Sequence, residues 1–449
     1  MAAAALLADD PLPRGPRVWT AVGALAALTL WTGLSYEWAP LGERAQGDLQ
    51  RLLLYLGTFV AGVGLFRGRL ARRFLEPGLA AGTVLVTAYG LGDRLLPGLV
   101  TFHHSQSAEG RLEQPLTYWN AMGCLGAVGL VLCIRLAADR SRGRLTRATA
   151  GVGAPVLGLG VYLSFSRGAL FALAAGVVVL VLLAPQRRRQ LWVAAALMVA
   201  GAIAAAVANF LPRVESLTPG QTGDHGQGLI MLAVLVAMCA ACAAVAATAR
   251  DGAGDRPARG VVAGIRHPTI VAALLTVAVV GGLAGVAAVE GTPKARSTAS
   301  ATNPSRFRSA DSLRYSYWDV ALGAFARDPL WGTGSGGFAV EWRRRPKRPE
   351  PAVDAYSLYI ETLAELGLVG ALFLAGFLLS IASAAARLHA RDPAAGAGPA
   401  AAFVVFAVHA GLDWDWEMPA LTGIALLLAA ALVAWDDEAS RSADPLRSA

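Results

Sequence analysis

Lysine is almost missing from this chain: Lys294 and Lys347 are the only two in 449 residues, and charged residues of every kind make up 16%. Cysteine is scarce too, with Cys124, Cys133, Cys239 and Cys242 the only four. All lie in apolar runs, which excludes a disulfide framework. Cys239-x-x-Cys242 has no second Cys/His pair to complete a zinc site, so these thiols read as small packing residues. No small-residue cleavage site follows the first apolar run, and that run is expected to remain as an anchor. So little charge excludes an ordinary soluble domain. Nucleic acid is not expected as a partner, because arginines facing anionic lipid account for the pI near 9.7.

What fills the chain instead is apolar: 55% of residues are hydrophobic and the mean hydropathy is +0.50. Apolar runs recur along the whole length, and about 20 helical residues cross a hydrocarbon core of about 30 Å. Twelve spans are predicted, near 18–34, 52–66, 77–92, 115–134, 148–164, 168–184, 191–210, 228–249, 269–289, 357–383, 399–412 and 418–435. Alternating barrel strands are absent, so the expected fold class is all-α and polytopic. The predicted organisation is nine spans over 1–289, a large loop over 290–356, three spans over 357–435 and a tail over 436–449.

Basic residues set the expected orientation. Arg67, Arg69, Arg72 and Arg73 share one short loop, Arg135, Arg140, Arg142, Arg144 and Arg147 the next, and Arg187 to Arg189, Arg250 to Arg266, and Arg387 with Arg391 follow on the same side. The alternate loops hold few arginines, so both termini are expected to be cytoplasmic and the large loop outside.

Function concentrates in long loops. In this one a helix is predicted from Asp311, capped by Ser309 or Asp311, with Leu313, Tyr317, Val320, Ala321 and Ala324 as its apolar stripe. Arg314 and Trp318 share a face one turn apart, and Pro329 ends the helix. Gly332-Thr-Gly-Ser-Gly-Gly337 is a turn whose amides are candidates for a phosphate cradle, without the lysine and strand of a P-loop. Arg343, Arg344, Arg345, Lys347 and Arg348 form a basic run whose alternative is a solvated face.

Four separated segments resemble the O-antigen ligase and polymerase family of membrane glycosyltransferases. They are Arg111-Leu-Glu-Gln-Pro-Leu-Thr-Tyr-Trp-Asn120, Ser164-Phe-Ser-Arg-Gly168, Arg314 and Trp318 with Pro329-Leu-Trp-Gly-Thr-Gly334, and Asp354 to Gly370. The last is the most specific: the family carries His, then Asn, Ser or Gln, nine residues and Gly-x-x-Gly. Ser357, the spacing, Gly367 and Gly370 agree, but Tyr356 stands where the His is expected.

The resemblance implies a C-type membrane glycosyltransferase fold and a polyprenyl-pyrophosphate-linked glycan donor. It also implies a glycan or lipid acceptor and a site opening outward in a bacterial inner membrane. A departing pyrophosphate needs either a metal or arginine; the large loop has no Asp-x-Asp, whereas Arg167 and Arg314 stand where the resemblance places phosphate-contacting arginines. No metal and no cofactor are therefore expected. Expected catalytic residues are Arg314, Tyr356, His409 and Asp413. His409 and Asp413 stand four apart, as if the carboxylate oriented the imidazole. Expected substrate contacts are Arg167, Arg111, Asn120, Trp318, Ser357 and Glu365. Each has a plainer alternative: Arg167 and Arg111 as interfacial arginines, Asn120 as a cap, Glu361 and Glu365 as helix N-terminal charges, and Gly367 and Gly370 as packing glycines. A transporter or lipid flippase is the competing function, although no repeated halves are visible.

Overall fold

The computed structural model describes residues 15–248 and 314–442, and helices account for nearly all regular structure there. The elements are α1 (Pro16–Leu34), α2 (Gly42–Leu65), α3 (Arg69–Gly90), a short α4 (Gly92–Leu95), α5 (Trp119–Ala138), α6 (Arg144–Leu163), α7 (Arg167–Leu183), α8 (Arg187–Ala208), a short α9 (Pro212–Glu215) and α10 (His225–Thr248). After the gap in description come α11 (Arg314–Arg327), α12 (Phe338–Arg344), α13 (Leu358–Arg391), α14 (Pro393–Ala410) and α15 (Pro419–Ser442). Among the described residues, seven helices are long and apolar enough to cross a membrane, and α7 is a shorter apolar one. Eleven of the predicted spans coincide with helices, while the span at 269–289 and the cap residues Ser309 and Asp311 lie outside the described residues.

α5 is the central post. Every residue from Asn120 to Ala138 is buried, enclosed by α3, α6, α7, α8 and α14. Its sequence permits this, because a Cβ on Gly126 would approach Val161 of α6 to 2.9 Å and one on Gly129 would strike Thr83 of α3 at 2.2 Å. Small residues that let backbones close up are the usual basis of helix packing in lipid. Large apolar side chains such as Leu54, Leu85, Trp192, Val199 and Leu372 face outward, as a lipid-bathed surface requires.

The large loop carries a small core of its own. Four residues of the stripe read from sequence, Tyr317, Val320, Ala321 and Ala324 of α11, are buried with Phe338 and Trp342 of α12, over Ala364 of α13, and the fifth, Leu313, lies outside the described residues. Two boundaries differ from expectation. The span predicted from 115 starts at Trp119, because 111–118 is irregular chain. The last helix runs past 435 to Ser442, with Asp436 and Asp437 buried under arginines.

α13 breaks where Gly367 adopts φ 64°, ψ −164°. A Cβ there would lie 2.3 Å from the Leu330 carbonyl oxygen, so only glycine lets the loop seat in the break. The groups freed by the break are repaired from outside: Leu368 N donates to Pro329 O at 2.8 Å and Trp31 Nε1 to Leu366 O at 2.9 Å.

Candidate active site

The Gly332–Gly337 turn is not a phosphate cradle. Its amides are spent within the fold: Gly332 N donates to Asp328 O, Thr333 N to Ala364 O, Gly334 N to Glu365 O and Gly337 N to Gly334 O. Ser335 N goes to Ser35 Oγ, and the Glu365 carboxylate takes Gly336 N at 2.8 Å and Phe338 N at 2.9 Å. Glu365, expected at substrate, is thus a clamp between loop and α13. Ser357 is 1% exposed and caps α13 by accepting from Ile360 N, and Glu361 Oε2 accepts from Ala355 N at 2.6 Å.

The polar centre lies where α5, the large loop and the α14–α15 turn meet. Asp413, 0% exposed, is its hub. Oδ2 accepts from Arg314 Nη2 at 2.7 Å and from Asn120 Nδ2 at 2.7 Å; Oδ1 accepts from Tyr118 Oη at 2.7 Å and Trp414 N at 3.0 Å. Asn120 Nδ2 also donates to Tyr118 Oη at 2.8 Å. A buried charge needs such pairing to be tolerated at all. The carboxylate, held by four donors, fixes the guanidinium and the start of α5 to one point.

Tyr356 stands beside this hub. Its ring stacks on Tyr317, one turn from Arg314, with centroids 5.2 Å apart and planes 19° apart. Burial first, and then the Asp413 carboxylate, raises its phenol above the ordinary value, so it remains protonated at neutral pH. Burial likewise raises Tyr118, and it raises Asp415 against the pull of His409. Trp318 is 8% exposed, and its Nε1 has no hydrogen-bond partner among the described residues.

Arg167 opens α7, half-buried, one residue after Ser166, which caps that helix. Arg111 is placed differently from the other arginines. Its guanidinium lies 3.7 Å from the Trp119 ring centroid, and it donates to Ala108 O at 2.7 Å and Ser107 O at 2.8 Å, which fits a brace for the 105–119 chain.

His409 does not pair with Asp413. It is 0% exposed, and its Nδ1 meets Asp415 Oδ2 instead. The reason is local: α14 ends at Ala410, so the helical register that would bring residue 413 over residue 409 stops short. Sequence reasoning therefore missed Asp415, and it missed Tyr118 and Ser166 although both lie inside the segments that carry the resemblance.

Backbone strain gathers here too. Among the described residues the non-glycine positions with positive φ are Glu109 (50°), Thr117 (60°), Phe165 (48°) and Tyr356 (55°). All four lie in or just before those segments, where such strain costs about 1–3 kcal/mol each and persists only if its surroundings impose it. A neighbouring cavity of about 50 Å³, bounded by Asp48, Arg51, Ser335, Glu361, Glu365 and Glu417, has room for waters rather than a sugar ring.

No curated protein matches the chain. A model of the O-antigen ligase family matches residues 225–375, the stretch that holds α10, the large loop with Arg314 and Tyr356, and the break at Gly367. That match covers about a third of the chain and supports membrane glycan transfer in polysaccharide biosynthesis, in agreement with the resemblance read from the sequence.

Proposed function

We propose that the protein is an inverting, metal-independent glycosyltransferase that takes a glycan from a polyprenyl-pyrophosphate donor. The acceptor is another lipid-linked glycan or a cell-surface lipid, and the site opens on the extracytoplasmic side beneath the large loop. The observation that carries this reading is the Arg314–Asp413 pair at 2.7 Å, which ties a loop guanidinium to the membrane helices at the point where the family-like segments converge.

In the reaction the bond between the anomeric carbon and the pyrophosphate oxygen breaks, the electron pair leaves with the phosphate, and the acceptor hydroxyl oxygen bonds to the anomeric carbon while its proton passes to the departing pyrophosphate. Negative charge then builds on the departing pyrophosphate. Arginine is suited to it, because a guanidinium never loses its charge and binds phosphate oxygens in a fork. Arg314 and Arg167 fill that part, and preorganisation by Asp413 lowers the cost of holding the charge in place. Asp413 itself is sealed from solvent, which supports an orienting role. The protonated Tyr356 phenol is suited to donate a hydrogen bond to sugar or phosphate, not to act as a base.

The test is to incubate purified protein with a lipid-linked glycan and an acceptor, and to follow glycan transfer beside lipid movement in proteoliposomes. Transfer that falls at least a thousandfold in Arg314→Ala and several-fold in Tyr356→Phe supports the reading. Movement of lipid across the bilayer without transfer would replace it by a flippase.

A further inference from the structure

The transfer chemistry gives no part to Ser166, His409 and Asp415, although they are buried to 2%, 0% and 0% exposure directly behind the site. His409 Nδ1 meets Asp415 Oδ2, and on the far side of the ring Nε2 lies 3.5 Å from Ser166 Oγ. The ring is wedged against α7, for a Cβ on Gly168 would stand 3.2 Å from Nε2. Directionality is consistent along the chain. With Nδ1–H donated to Asp415, Nε2 accepts the Ser166 hydroxyl, whose lone pair remains to accept Ala169 N at 3.2 Å. Ser166 N in turn donates to Ser164 Oγ at 3.2 Å, across Phe165 with its φ of 48°.

Two consequences meet in one short stretch. Asp413 holds Arg314 at 2.7 Å, while Asp415, two residues on, reaches through His409 to the strained turn that presents Arg167. We infer that the buried Ser166–His409–Asp415 chain is a positioning device. It sets the turn carrying Arg167 against the anchored Arg314, so that the two guanidiniums are spaced for the two phosphates of one pyrophosphate. This rests on the proposed transferase reading. Two like charges repel and do not find such spacing unaided, whereas a buried hydrogen-bonded chain packed against the turn favours one arrangement. None of the three residues touches substrate.

The readout is selectivity for polyprenyl pyrophosphate over polyprenyl monophosphate, measured as the ratio of affinities of the full-length protein in nanodiscs. A mere loss of stability does not change that ratio in the molecules that remain folded. His409→Ala and Ser166→Ala are expected to cut the ratio at least fivefold, and His409→Gln, whose amide can still reach Ser166, to restore most of it. In an Arg167→Ala background, where the ratio is already low, His409→Ala is expected to cost nothing more. Should His409→Ala not fold, Ser166→Ala and His409→Gln carry the test.

An unchanged ratio in folded Ser166→Ala would overturn the inference, and so would full additivity with Arg167→Ala. Cys124 offers a third ligand atom within 4.8 Å of His409 and Asp415. If Cys124→Ala and EDTA each lower the ratio as His409→Ala does, the trio is a metal site and the inference is wrong. Wild-type protein that neither prefers the pyrophosphate lipid nor transfers glycan would instead bring down the transferase reading, which is a different result.

Discussion

The two ends of the helix bundle differ in how they use arginine. At the end away from the large loop, guanidiniums pair with carboxylates of neighbouring helices: Arg67 with Asp437 at 3.1 Å, Arg142 with Glu76 at 3.3 Å, and Arg387 and Arg391 with Asp436 at 2.7 and 2.8 Å. These pairs latch α2, the turn before α6, and α13 to their neighbours. At the loop end latches also occur, Arg327 and Arg344 with Glu341 and Arg51 with Glu417, but there one carboxylate, Asp413, gathers an arginine together with Asn120 and Tyr118, with strained backbone at Phe165 and Tyr356 close by in sequence to Arg167 and Ser357. Arginine pairing separates a latch from a site.

The sharpest way to break that contrast is to remove a carboxylate at the loop end. Asp413→Asn leaves Arg314 facing a neutral amide in a buried setting, which costs about 3 kcal/mol when one partner of a buried pair is lost. Thermal unfolding and transfer assays should show both that destabilisation and at least a thousandfold loss of activity. Next comes Gly367→Ala, which forces a side chain against the Leu330 carbonyl and is expected to cost about 2–3 kcal/mol. Transfer should fall at least tenfold in molecules that stay folded, because the loop loses its seat.

A pH test follows. Burial, against the pull of Arg51, pushes the Glu417 carboxyl up to about 8. The folded state therefore holds this proton more tightly than the unfolded chain, and its contribution to stability falls as pH rises from the unfolded value near 4.5 to about 8. Glu417→Gln should flatten the thermal midpoint across that window; a decline as steep as wild type contradicts this placement. The smallest effects are expected at the latch end and in the irregular chain before α5. Arg391→Ala leaves Asp436 still paired with Arg387, so it should cost less than about 1 kcal/mol and spare activity. Thr117→Gly, at an exposed residue with φ 60°, should stabilise by about 0.5–1 kcal/mol.

Hydropathy made the helices legible, because a spanning segment must be apolar over its whole length regardless of its neighbours. The loop helix was legible for a different reason. Tyr317, Val320, Ala321 and Ala324 recur at helical spacing, and α11 buries all four together with Trp318. Periodicity fails where helices end. The spacing of His409 and Asp413 looks like one helix face, yet α14 stops at Ala410 and the partner turns out to be Asp415. Glycine runs mislead similarly: the Gly332–Gly337 turn looks open to phosphate, but Glu365 and the broken α13 consume its amides, a contact between residues about thirty apart that no local pattern encodes.

The most direct measurement is single-turnover release of polyprenyl pyrophosphate from a lipid-linked glycan in excess EDTA, with wild type beside Arg314→Ala and Arg314→Lys. Wild-type release that is unaffected by chelation, lost in Arg314→Ala and only partly recovered in Arg314→Lys is the predicted result. Release that stops in EDTA and returns with a divalent cation, or that persists in Arg314→Ala, would contradict arginine-based transfer.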